Sequence, residues 1–136
     1  MRHNPAFDGL AVLVVDDQKI IHDMLSHLLL KVGFKEVDSA YSGSKALKAL
    51  DAKRYDLILC DIMMEDLDGI GFVQTLRQPN NLRYDIVKSR TPVILMSGST
   101  DPEHLRAAKE IGVQGYIVKP FDPASIYDRL VKLFGG

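Results

Sequence analysis

Apolar residues occur along the chain in two alternating rhythms. Leu10–Val15, Leu57–Cys60, Val93–Met96 and Tyr116–Val118 are apolar throughout and rich in β-branched residues. Short continuous apolar runs suit strands whose sheet is covered on both faces, as parallel sheets are. The run Glu36–Ala40 is more polar, which suits a strand at the edge of the sheet.

Between these runs the apolar residues recur at helical spacing. Ile20, Ile21, Met24, Leu25, Leu28, Leu29 and Val32 form one stripe, with Gly33 placed as its C-terminal cap. Ala46, Leu47 and Leu50 mark a second helix after Ser42-Gly43, and Ile70, Val73 and Leu76 mark a third that ends before Pro79. Asp101-Pro102 opens a fourth, with Asp as N-cap and Pro at the first helical position. Its stripe is Leu105, Ala108 and Ile111, closed by Gly112. Asp122-Pro123 repeats the device for a fifth, with Ile126, Leu130, Val131 and Phe134 facing inward. The segment 78–91 carries Leu82, Tyr84, Ile86 and Val87 among charges. It is expected either to extend the third helix or to form a structured loop.

Five strands alternating with five helices predict one open α/β sheet with helices on both faces. In such sheets the chemistry lies beyond the carboxyl ends of the strands. The first strand ends in Asp16-Asp17, the third in Asp61, the fourth in Ser97 and the fifth in Lys119-Pro120. Asp16-Asp17 alone reads as a helix N-cap following a strand; its company at the other strand ends outweighs that reading. Three crowded carboxylates resist ionising together, and a hard divalent cation relieves the repulsion. An all-oxygen set selects magnesium, calcium or manganese over zinc. Magnesium commonly takes one or two carboxylates, which leaves another as a nucleophile or phosphoryl acceptor. Lys119 offers a compact positive charge and Ser97 a hydroxyl donor. The set fits phosphoryl transfer onto an aspartate.

Composition narrows the field. A length of 136 residues is that of one domain. Seventeen basic and 18 acidic residues leave a net charge of -1, with no basic stripe to suggest nucleic acid. No apolar run approaches the ~18 residues of a membrane span, and the N-terminus lacks the pattern of a secretory signal. The single cysteine, Cys60, excludes a disulfide framework within the chain and suits a reducing cytoplasm, the expected location. Cys60 itself reads as a small buried hydrophobe. His22 and His27 fall on the polar side of the first helical stripe and read as solvated.

Leu13–Asp17, Asp56–Met64, Asp68-Gly69, Leu95–Gly98 and Gly115–Phe121, in this order, resemble the receiver domain of two-component response regulators. The resemblance covers residues 9 to 134. It implies a flavodoxin-like, doubly wound sheet of five parallel strands in the order 2-1-3-4-5, with five helices. It also implies a receiver domain over residues 9–136, preceded by an extension at 1–8, and phosphorylation by a sensor histidine kinase or a histidine phosphotransfer protein. Residue by residue, Asp61 matches the phosphoacceptor. Asp16 and Asp17 match the acidic pair that holds Mg2+ together with Asp61 and the backbone carbonyl of Met63. Ser97 matches the switch hydroxyl, Tyr116 the switch aromatic and Lys119 the site lysine, with a cis bond between Lys119 and Pro120. Tyr116 also reads as ordinary sheet packing.

The chain departs from the family pattern in four places. Glu65 stands where the family often has proline, Ser97 replaces the commoner threonine, and Gly98 replaces the usual alanine. The segment 78–91 is also longer than is typical. The expected function is that of a stand-alone receiver whose phosphorylation controls protein binding at the face of the family's fourth helix, fifth strand and fifth helix. No membrane partner, effector domain or turnover of an external substrate is expected. A phosphorelay shuttle, or a receiver excised from a longer regulator, is the alternative. A magnesium-dependent phosphatase with an aspartyl-phosphate intermediate is disfavoured, because Asp61-Ile62-Met63 lacks the second carboxylate of an Asp-x-Asp motif. A receiver that signals without phosphate is disfavoured because every acceptor, metal and lysine position is filled.

Overall fold

Five parallel strands form the sheet: β1 (Ala11–Val15), β2 (Glu36–Ala40), β3 (Leu57–Asp61), β4 (Val93–Ser97) and β5 (Gly115–Val118). They lie in the order β2-β1-β3-β4-β5, as expected. The structure is a computed structural model that describes residues 2–98 and 102–135. The helices are α1 (Lys19–Val32), α2 (Gly43–Ala52), α3 (Gly69–Arg77), α4 (Ile86–Ser89), α5 (Pro102–Glu110) and α6 (Pro123–Phe134).

Alternation along the apolar strands divides the core into two layers. Val12, Val14, Leu57, Leu59, Ile94 and Met96 pack with α1 and α6. Leu13, Val15, Ile58, Cys60, Val93 and Leu95 pack on the other side, with α2, α3 and α5. Cys60 is buried there, as its small apolar side chain predicts. The more polar β2 is indeed an edge strand. Helix starts follow the expected chemistry: Ser42, Asp68 and Asp122 each accept a hydrogen bond from a backbone N–H of the first helical turn. The expected cap at Asp101 lies outside the described residues.

The structure corrects two expectations. Six helices stand where five were expected, because Ile86–Ser89 within the long 78–91 segment makes a helical turn of its own. The buried stripe of α1 is His22, Leu25, Leu28, Leu29 and Val32, so His22 is not solvated. Ile20 instead is 73% exposed. The N-terminal extension is tied to the core. Pro5–Phe7 form a single 3-10 turn, Phe7 is fully buried, and the Asn4 N–H donates to the Val32 carbonyl.

The register places the strand ends side by side. Val15 pairs with both Ala40 and Cys60, Asp61 with Met96, and Ser97 with Val118. Asp16, Asp61, Ser97 and Lys119 therefore share one edge of the sheet. Strand order reverses between β1 and β3, where a crevice opens.

Candidate functional site

Asp16 leaves β1 fully buried, and four separate contacts hold it. Its N–H donates to the Ala40 carbonyl, and its Oδ1 accepts from the Gln18 N–H at 2.8 Å. Its Oδ2 accepts from Lys119 Nζ at 2.8 Å, and its carbonyl oxygen lies 2.7 Å from His22 Nε2. Asp17, the next residue, is exposed. Asp61, at the end of β3, is 5% exposed. Its Oδ1 accepts from the Met63 N–H at 3.3 Å, and its Oδ2 lies 3.3 Å from Lys119 Nζ.

Carboxylate oxygens of Asp16, Asp17 and Asp61 all lie within 4.8 Å of one another. Three acids this close, with one ammonium among them, leave excess negative charge in a half-enclosed crevice. Asp61 shows the strain: burial lifts its carboxyl above the ordinary carboxylate range, with Asp16 adding to the rise and Lys119 opposing it. Desolvation by itself pulls the Lys119 ammonium down, but Asp16 and Asp61 outweigh it and hold the lysine above its usual value. It therefore stays charged. The donor set is all oxygen, anionic and crowded, which fits magnesium and excludes a thiolate or imidazole metal.

The remaining predicted residues have defined places. Ser97 is fully buried at the end of β4, and its carbonyl accepts from the Lys119 N–H at 2.6 Å. The Lys119–Pro120 bond is cis. Tyr116 is half-buried and packs against the α2–α3–α5 layer of the core. The Met63 side chain is 59% exposed. Glu65 and Asp17 line one groove of ≈ 450 Å³ with Tyr41, Ser42 and Asp66. A Cβ added at Gly98 would meet nothing within 4 Å among the described residues.

Tight packing fixes the loop between β3 and α3. A Cβ on Gly69 would lie 2.4 Å from the Asp61 carbonyl oxygen, and one on Gly43 would lie 2.5 Å from that of Leu67. Both positions require glycine. Asp66 ties the same loop to the start of α2 by accepting from the Gly43 and Ser44 N–H groups, each at 3.3 Å. The Ser44 side chain, then the Leu67 backbone N–H, and these two amides hold the Asp66 carboxyl at about 2.

Sequence reasoning missed two residues of this region. Asp66 carries no local motif, since its partners lie more than twenty positions upstream. His22 sits on the polar border of the helical stripe, and only the fold brings it under Asp16.

Comparisons with known proteins agree with this geometry. Residues 12–131 match the family described as response regulator receiver domain. Chemotaxis protein CheY-3 of Vibrio cholerae is 30% identical over 126 residues, covering 93% of this chain and 92% of that protein. The solved structure of Vibrio cholerae chemotaxis protein CheY4 overlays with a TM-score of 0.79 at 32% identity, covering 91% of this chain and 98% of that one. The receiver domain of the Francisella response regulator 1452 does so with a TM-score of 0.79 at 30% identity, covering 93% and 97%. With its strand order, its edge of acids and lysine, and a match along most of its length, this chain belongs to the response regulator receiver domain family.

Proposed function

We propose that the chain accepts a phosphoryl group on Asp61 from a sensor histidine kinase or histidine phosphotransfer protein in the cytoplasm, and signals by altered protein binding. The observation that carries this reading is the Lys119 ammonium set 2.8 Å from Asp16 and 3.3 Å from Asp61, within a cluster of three carboxylates. In the transfer, a carboxylate oxygen of Asp61 forms a bond to phosphorus. The phosphorus–nitrogen bond to the donor histidine breaks, and its electron pair returns to the imidazole. Lys119 meets the negative charge on the phosphoryl oxygens, and Ser97 donates its hydroxyl to one of them.

Asp16, Asp17, Asp61 and the Met63 carbonyl would hold Mg2+. When bound there, the cation neutralises the crowded carboxylates and the phosphoryl oxygens. Asp61 acts as an acceptor that later loses its phosphate to water, not as a turnover enzyme on external substrates. Output follows from a population shift in which Ser97 draws toward the phosphoryl group and Tyr116 packs inward. The responding face is α5–β5–α6, where Tyr116, Phe121, Ser125 and Arg129 line a groove of ≈ 330 Å³.

Intact-mass spectrometry after incubation with acetyl phosphate tests the reading. The wild type is expected to gain one phosphoryl group with magnesium and none without it, and Asp61→Asn to gain none. An adduct persisting in Asp61→Asn would remove Asp61 from its role.

A further inference from the structure

We infer that His22 is a positioning residue for the metal-ligating carboxylate of Asp17, acting through the peptide bond between Asp16 and Asp17. The inference rests on the magnesium reading above.

The Asp16 carboxylate needs no further support: Gln18 fixes one oxygen and Lys119 the other. Asp17 is different. It is exposed and, among the described residues, its side chain makes no hydrogen bond or ion pair. Only the backbone aims it. A peptide unit is planar, so fixing the Asp16 carbonyl oxygen fixes the nitrogen and Cα of Asp17 as well. That oxygen is the one His22 Nε2 reaches at 2.7 Å.

The histidine is itself held on every side. A carbonyl can only accept, so Nε2 carries the hydrogen and donates to it, while Nδ1 lies 2.9 Å from Ser39 Oγ on the other side of the ring. The Tyr41 ring lies against it with centroids 4.2 Å apart and planes at 37°. His22 is 2% exposed, so water does not replace these contacts. Tyr41 continues to the groove it lines with Asp17, so the ring that braces His22 and the carboxylate that His22 aims share a wall. His22 touches no reacting atom. Its effect is on how well the acidic pair is arranged before the cation arrives, which is how residues behind a metal site tune affinity.

The test is a calorimetric magnesium titration of wild type, His22→Leu, His22→Gln and Ser39→Ala, with thermal melts in chelator beside it. His22→Leu is expected to raise the magnesium Kd about tenfold. Ser39→Ala, on the far side of the ring, should give a smaller loss in the same direction. His22→Gln, whose amide can donate to the same carbonyl, should recover most of the affinity. A merely structural histidine predicts lower melting temperatures with an unchanged Kd in His22→Leu and Ser39→Ala, and that result would overturn the inference. Should His22→Leu fail to fold, an unchanged Kd in Ser39→Ala has the same force. A wild type that takes up no magnesium would sink the site reading itself, a result distinct from variants that bind as tightly as the wild type.

Discussion

The burial of Asp61 comes at a cost to the fold. Its carboxyl is held above the ordinary range by burial, despite Lys119, so the folded chain binds that proton more tightly than the unfolded chain does. Stability from this group is therefore present at low pH and lost as pH rises from the ordinary carboxylate range through the raised one. Asp61→Asn, an uncharged isostere that still leaves Lys119 paired with Asp16, should melt higher than wild type by about 3 °C at pH 7 in chelator. The advantage should vanish as pH falls toward 4. Magnesium should raise the melting temperature of the wild type alone, because only that chain keeps the complete ligand set. Circular-dichroism melts at two pH values decide the matter; a lower melting temperature for Asp61→Asn in chelator would contradict it.

Among the elements, α4 shows where a pattern of apolar residues stops being informative. Only four residues long, it has no stripe of its own. Long-range tethers hold the segment. Tyr84 is buried and its hydroxyl donates to the Leu47 carbonyl at 2.9 Å, with burial pushing the phenol up to about 12. Arg83 pairs bidentately with Asp51 at 2.7 Å, Arg54 pairs with Asp85, and Lys88 donates to the Leu50 carbonyl. These contacts clamp the segment onto α2 and onto Arg54 just beyond it, so Tyr84 is the expected anchor. Tyr84→Phe should cost ~1 kcal/mol in a urea titration, the worth of one hydrogen bond, and Tyr84→Ala ~3–5 kcal/mol. Near-equal losses would mean the ring packs without consequence. The five strands and five long helices were legible because their apolar runs or stripes are long enough to carry a period. The strand-end acids, Ser97 and Lys119 were legible because parallel strands bring their ends together. His22, Asp66 and α4 were not, because each is defined by partners that only tertiary structure supplies. Ile20 misled for a related reason: being apolar, it extends the α1 stripe on paper, yet it faces out beside a small groove with Met24, Pro120 and Phe121.

At the scale of the molecule, the two ends of the chain close the same layer of core. Phe7 stacks obliquely on Phe34 with centroids 5.4 Å apart, and meets Tyr127 and Phe134 of α6 edge-on. Asn4 Nδ2 donates to the Tyr127 hydroxyl at 3.2 Å. The N-terminal turn thus acts as a plug beneath α1 and α6. Phe7→Ala is expected to cost ~3–5 kcal/mol in chemical denaturation while leaving magnesium affinity intact, since the plug lies far from the strand ends in the chain's architecture. A loss below ~1 kcal/mol would show that the turn merely rests on the surface. The crevice itself is a vice with one jaw bolted to the frame. Gly43, Gly69 and the Asp66 tether lock the wall that carries Met63, whereas no described residue crowds Gly98. If Asp61 takes a phosphoryl group as proposed, the Ser97 wall is the side expected to close on it, and the length of that stroke would set how far the change reaches toward Tyr116.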